Sequence, residues 1–216
     1  HVQLLIFKKG CFLSMIYKKQ FFPDCEPNLQ YLQTFSFQKE EILFFDIETT
    51  GFSARSSSLY LIGAVCFLEN RWTFFQWFAE TPSEECELLK EFFSFCHSFR
   101  ALIHFNGDGF DIPYLMQKAE KYMLTEPLSA MESIDIYRLI RPCKKYLKLT
   151  HLNQKSLESF LGIRREDRCN GGELIKTYQA FCSSKADDAL SLLLLHNLDD
   201  LRGMTKLLPL LSYHAF

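Results

Sequence analysis

The sequence predicts an α/β fold: a mixed five-stranded sheet, with three antiparallel strands first and parallel ones after, flanked by helices. Three observations carry that expectation. An apolar run in "EILFFDIETTGFS" (41–53) reads as a buried strand. Two more strand-like runs, "LYLIGAVCFLEN" and "RWTFFQWFAE", follow, with Glu69, Asn70 and Arg71 near the turn between them. After them, helical and strand-like stretches alternate, as parallel strands joined through helices require. At 216 residues and 48% hydrophobic, the chain suits one substantial domain with a filled core.

Residues 1–40 are mixed basic and aromatic, broken by Pro23 and Pro27. They are expected to form an N-terminal extension that packs on a domain covering 41–216. The first strand runs from Ile42 to Glu48 and stops at Gly51. "TPSEECELLKEFFSFCHSF" announces a helix through Thr81 as cap, Pro82 in the first turn and an acidic start. Its Leu88, Leu89, Phe92, Phe93 and Cys96 recur at helical spacing. "ALIHF" is a short strand, "NGDG" a loop and "DIPYLMQKAEKYM" a helix. A strand or turn near Ser133–Asp135 leads into "IYRLIRPCKKYL", and "NQKSLESFLGI" is a helix closed by Gly162. The final segment, "DDALSLLLLHNLDDLRGMTKLLPLL", resembles a strand at its leucine run. Its length and the spacing of Leu190, Leu193, Leu194, Leu201 and Met204 predict a helix.

Composition narrows the function classes. No apolar run approaches the ~18 residues needed to cross a bilayer, so no membrane partner is expected. Lys8, Lys9, Lys18 and Lys19 interrupt the N-terminal apolar stretches, which argues against a signal peptide. The eight cysteines are scattered without CxxC spacing, which suits reduced thiols in a cytoplasmic protein. The net charge of −2 does not suit a protein that coats DNA. Arg138 to Arg168, however, holds nine Lys/Arg against three acids, leaving −8 for the rest. That stretch reads equally as a phosphate-facing patch or a solvated helix face.

The first strand ends in Asp46 and Glu48. Side chains two apart on a strand share a face, so the carboxylates are neighbours. At about 4 Å and an effective dielectric near 20 they repel by roughly 4 kcal/mol. A cation is the obvious compensation. Mg²⁺ needs near-octahedral oxygen coordination, so further acids must come from elsewhere. Asp111 qualifies, at the entrance to a helix after a glycine-containing loop, although a helix cap would have the same location. Asp108, at the loop tip, is a weaker rival. In the last helix His196 and Asp200 are four apart, on one face. Asp199 is turned about 300° from His196, against roughly 40° for Asp200. Taken alone, His196 is more readily a hydrogen-bonded structural histidine than a base.

"FFDIETTGF", "NGDGFDIPYL" and "HNLDDL", in this order, resemble the three motifs of the DEDD 3′–5′ exonucleases of the ribonuclease-H-like superfamily. The region "DIYRLIRPCKKYLKLTHLNQKSLESFLGIRRED", with "NGGELI" after it, is similar to the linking region of stand-alone YprB-type domains. The resemblance covers roughly 40–210 and implies a ribonuclease-H-like fold. It also implies a metal-dependent exonuclease that acts on single-stranded 3′ ends through two Mg²⁺ or Mn²⁺ ions. Asp46, Glu48, Asp111 and Asp200 become metal ligands, and Asn106 leads into the second motif. Thr49 and Phe52 match positions near the 3′-terminal nucleotide. A helicase or repeat-domain partner is a further implication. The third motif departs from pattern. His196 has the spacing expected of a tyrosine, and Leu195 stands where a His-x₄-Asp motif would place histidine. His196 is expected to accept the proton of the attacking water or to orient that water. A catalytically silent nucleic-acid-binding module and a structure-specific endonuclease remain rivals. So does an interaction domain with surface acids, which the apolar flanks of Asp46 and Glu48 disfavour.

Overall fold

The computed structural model describes residues 5–8, 15–21 and 26–215, giving only the backbone course for 5–8, 21 and 213–215. Cys11 and Cys25 lie outside the described residues, and no disulfide joins the other six cysteines. Among the described residues no helix is long and apolar enough to cross a membrane.

Among the described residues the sheet has seven strands: β1 Leu5–Lys8, β2 Ile16–Phe21, β3 Ile42–Thr49, β4 Leu59–Leu68, β5 Arg71–Phe78, β6 Ala101–His104 and β7 Glu132–Asp135. Their order is β1-β2-β5-β4-β3-β6-β7. β4 lies between β3 and β5 and is antiparallel to both, whereas β6 and β7 run parallel to β3. The mixed sheet is thus the expected one, with two strands more than expected. The extra pair comes from residues 1–40, where β2 adds to the open edge of β5, Ile16 opposite Phe78 and Phe21 opposite Thr73. "IYKKQF" lacks clean alternation. What makes it a strand is the edge offered by β5 and the packing of Tyr17 against Phe75 and Trp77.

Glu69 and Asn70 both have positive φ (52° and 61°) and form a two-residue hairpin loop, since Leu68 already pairs with Arg71. Helix α1 is Glu85–Cys96, α2 Asp111–Tyr122, α3 Ile136–Ile140, α4 Lys144–Leu147, α5 Gln154–Phe160, α6 Gly171–Ser184 and α7 Asp187–Leu207. α1 opens later than Thr81 because Pro82–Glu84 forms a 3-10 turn. There Glu84 folds its carboxylate back onto the Glu80 N–H at 2.7 Å.

Alternation on the strands assigns the two faces. Leu43, Phe45 and Ile47 pack with Leu88, Leu89 and Phe92 of α1 and Leu115 of α2. Ile42 and Phe44 face the other way, with Ile103, Leu201 and Met204. Asp46 and Glu48 continue the Phe44 face, so β3 points them toward α7. A third apolar group, including Tyr60, Phe78, Tyr178 and Leu194, seats α6 against the same side.

Candidate metal centre

The β3–β4 ladder slips between Glu48 and Thr49: Glu48 pairs with Leu61, but Thr49 pairs with Leu59. A bulge of this kind ends the regular pairing and re-aims side chains. It falls beside Glu48. Two residue pairs earlier in the ladder, Asp46 lies opposite Gly63. That glycine leaves space for Asn197, because a Cβ there would meet Asn197 Oδ1 at 1.9 Å. Asn197 is fully buried. It donates from Nδ2 to Asp46 Oδ2 (2.9 Å) and accepts from Gln76 Nε2 (3.0 Å). Gln76 also donates to the Leu194 carbonyl at 2.9 Å, tying β5 to α7.

α7 brings the next groups. His196 Nε2 lies 3.2 Å from Asp200 Oδ2 and 3.8 Å from Glu48 Oε1. The ligand atoms of Glu48, His196 and Asp200 all fall within 4.8 Å of one another. Asp199 points elsewhere: its Oδ2 accepts the Glu166 and Asp167 N–H groups at 2.7 and 2.8 Å. Of the two adjacent acids, Asp200 is the one whose carboxylate faces His196.

Asp111 is the first residue of α2. Its Oδ1 accepts the Ile47 N–H at 3.3 Å, which places it beside β3 at the residue that separates Asp46 from Glu48. The loop before it is braced from below. His104 Nδ1 accepts the Gly107 N–H at 3.0 Å, and a Cβ on Gly107 would lie 2.6 Å from the His104 ring. Asn106 has φ 62° and donates its N–H to Asp135 Oδ1 at 2.9 Å. Asp108 is turned away toward Ser133 and Arg138.

Asp46, Asp111 and Asp200 line one cavity of about 690 Å³, together with Phe52, Phe105, Asn106, Phe110, Tyr137 and His151. Phe52 is 92% exposed and stands edge-on to Phe110 at 6.0 Å; Phe105 and Tyr137 form a second edge-on pair at 5.7 Å. Thr49 turns its hydroxyl to the Gly51 carbonyl at 2.9 Å.

The acids share one electrostatic problem. Burial, then Asp200, Glu48 and Asp111, push the Asp46 carboxyl well above the usual carboxylate range, against the pull of the Asn197 hydrogen bond. Glu48 is pushed up by burial, Asp200 and Asp111, and Arg165 opposes the shift. Burial chiefly raises Asp111 to about 7. This donor set fits hard or borderline divalent cations: carboxylate oxygens and one imidazole nitrogen converge where negative charge lacks full compensation.

The family model of the RNase_H superfamily matches residues 43–212. The chain belongs to the RNase H superfamily. No curated protein matches it. Among solved structures, this RNase H superfamily domain is similar to the family B DNA polymerase of Pyrobaculum calidifontis. The TM-score is 0.64 at 15% identity, over 79% of this chain and 24% of the polymerase. It is also similar to an apo exonuclease I (TM-score 0.52, 13% identity, 82% of this chain, 44% of that one). A zinc-bound complex of E. coli exonuclease I with single-stranded DNA gives a TM-score of 0.50 at 13% identity, over 82% of this chain and 41% of that one. The domain therefore spans less than half the length of each of these chains.

Sequence reasoning missed several residues of this RNase H superfamily site. Asp167, with no exposed side-chain surface, bonds His196 Nδ1 through Oδ2 and accepts the Cys169 N–H through Oδ1 at 2.8 Å. Arg165 Nη1 bonds Asp200 Oδ1 (2.7 Å) and both Glu158 oxygens (3.2 and 3.1 Å). Its Nε and Nη2 are buried without a hydrogen-bond partner. The basic stretch is thus divided. Arg165 is turned inward as the counter-charge of the acids, while Arg141, Lys144, Lys145, Lys148, Arg164 and Arg168 are exposed. Helix α6 was also missed. Its signal was legible as Asn170 capping with Glu173 three residues on, followed by Leu174, Tyr178 and Phe181 at helical spacing.

One pH dependence follows for the domain without metal. Asp111 binds its proton more tightly folded (about 7) than unfolded (about 3.9). Protonation therefore favours the fold. The contribution is fully present below pH ~4 and is lost as pH rises to ~7, on the order of 4 kcal/mol. In EDTA, the Tm of Asp111→Asn should fall less steeply than wild type between pH 4.5 and 7.5. Parallel curves would show that Asp111 does not titrate in this window.

Proposed function

We propose that this domain is a cytoplasmic DEDD-type 3′–5′ exonuclease of the YprB-like group. It would hydrolyse phosphodiester bonds at single-stranded nucleic-acid ends with two Mg²⁺ or Mn²⁺ ions. The observation that carries this reading is convergence: acids from β3, α2 and α7 line one cavity whose walls also hold two aromatic pairs. Asp46, Glu48, Asp111 and Asp200 would hold the ions. Divalent ions in such a site supply charge neutralisation at the scissile phosphate and acidify a water.

The remaining roles belong to the chain's own groups. Asn197 keeps one Asp46 oxygen on a fixed donor, so this carboxylate cannot rotate away from the cavity. Phe52 and Phe110 stand at the Asp111 side of the opening, and Phe105 and Tyr137 at the α3 side. Base–aromatic stacking is worth about 1–3 kcal/mol per base and tolerates any sequence, which suits a chain end held by its terminal bases. Asn106, braced in a left-handed conformation, presents its side chain at the same cavity. A single-stranded substrate is further supported by the exonuclease I neighbour solved with single-stranded DNA. A helicase or repeat-domain partner belongs to the same reading.

The test is incubation of 3′- and 5′-labelled single strands, DNA and RNA, with Mg²⁺, Mn²⁺ or EDTA. A ladder descending from the 3′ end in metal, absent in EDTA and reduced ~10²–10³-fold by Asp111→Asn, is expected. Binding without cleavage in either metal would assign the silent binding module instead. Cleavage of a circular single strand would assign an endonuclease.

A further inference from the structure

We propose that His196 is itself a ligand of the divalent ion held at Glu48 and Asp200, rather than a free proton acceptor. Nitrogen ligation would make the site prefer Co²⁺ and Mn²⁺ to Mg²⁺. This inference rests on the nuclease reading for the location of the site, but concerns which metal fills it.

The argument starts on the far side of the imidazole ring. Asp167 is buried, and its loop is anchored twice, by Asp199 on the Asp167 N–H and by the Cys169 N–H on Asp167 Oδ1. Its other oxygen bonds His196 Nδ1. A carboxylate only accepts, so Nδ1 carries a ring proton, which leaves Nε2 as the nitrogen that can give its lone pair to a metal. That lone pair faces Asp200 Oδ2 at 3.2 Å and Glu48 Oε1 at 3.8 Å. Three electron-pair donors directed at one point repel unless a cation stands among them.

The spacing matches shared ligation. Ligand atoms about 2.0–2.2 Å from one ion are about 3 Å apart at right angles and about 4 Å apart when opposite. Both His196 distances fall in that interval. Asp200 Oδ1 is already taken by Arg165 at 2.7 Å, so Asp200 offers this position a single oxygen and leaves room for a nitrogen. A buried carboxylate behind the histidine is the usual arrangement for orienting an imidazole on a metal and raising its basicity. Mg²⁺ favours oxygen and dehydrates reluctantly. Affinity for a mixed N/O set rises from Mn²⁺ to Co²⁺.

The experiment loads the whole chain with Mn²⁺ and records pulsed EPR, alongside Mn²⁺, Co²⁺ and Mg²⁺ affinities by calorimetry. A nitrogen coupling is expected that changes from the ¹⁴N to the ¹⁵N pattern when the protein is grown on ¹⁵N-histidine. It should vanish in His196→Gln. Mn²⁺ affinity should fall ~10–100-fold in His196→Gln and about tenfold in Asp167→Asn, with Mg²⁺ affinity changed by less than about threefold. The ¹⁵N-histidine measurement needs no substitution, so a variant that fails to fold leaves the test standing. Bound Mn²⁺ with no nitrogen coupling, or a coupling that survives His196→Gln, would overturn the ligand assignment. If strands are still shortened from the 3′ end in that case, the nuclease reading stands. Failure to bind any of the three ions would remove both.

Discussion

Asp46→Asn should leave a folded protein that no longer gains stability from divalent metal. The carboxylate lies among like charges, with its protonated form favoured by burial, Asp200, Glu48 and Asp111. Removing its charge therefore relieves repulsion, and the amide oxygen can still accept from Asn197 Nδ2. In EDTA the variant's Tm should match or exceed that of wild type. With metal at a hundred times its Kd, wild type gains about 2.7 kcal/mol, a rise of roughly 5–10 °C for a chain of this size. The variant should show little of that rise, and its cleavage should fall ~10³-fold or more. Differential scanning in EDTA and Mn²⁺ separates the two effects. An undiminished Mn²⁺ shift would remove Asp46 from the ligand set.

Gly63→Ala should be the most damaging single methyl in the sheet. The added Cβ would lie 1.9 Å from Asn197 Oδ1 and 2.7 Å from Leu201 Cδ1. Neither partner can yield cheaply. Asn197 is fixed by Gln76 and Asp46 and Leu201 is fully buried, both on α7, which packs on β3 and β4. Displacing Asn197 costs the Gln76 amide one of its two bonds and deprives one Asp46 oxygen of its donor in a buried setting, at about 1–3 kcal/mol for each lost partner. Overpacking adds about 1–3 kcal/mol. A loss of roughly 3–9 kcal/mol in urea-determined stability is expected. Metal affinity should fall as well, because Asn197 then no longer steadies Asp46. A variant within 1 kcal/mol of wild type would show that α7 can shift away from β4, contrary to the tight packing observed.

Gly63 also marks the limit of what pattern could disclose. A lone glycine in "LYLIGAVCFL" signals a close approach, but not by which residue. Asn197 comes from 134 positions along the chain (197 against 63). Asp46 and Glu48 were legible because strand alternation is local: a two-residue spacing assigns a face without knowledge of the partner. Asp200 was separable from Asp199 by helical rotation for the same reason. Asp167 and Arg165 were not, because they sit in "RREDR", where charges crowd in a loop without periodicity. Only their contacts with His196 and Asp200 distinguish them from the exposed Arg164, Glu166 and Arg168. The strand β2 was obscured likewise, since what makes "IYKKQF" pair is the free edge of β5 rather than its own composition.

Local spacing, then, determined the main elements from β3 onward, which face of β3 carries the acids and which turn of α7 meets them, since each depends on backbone periods of two or 3.6 residues. Tertiary structure decided what compensates those acids. Arg165, Asn197 and Asp167 reach the site only once α7 crosses the sheet and the α5–α6 loop folds back over it. Electrostatic repulsion between groups distant in sequence exists only when the fold has brought them together.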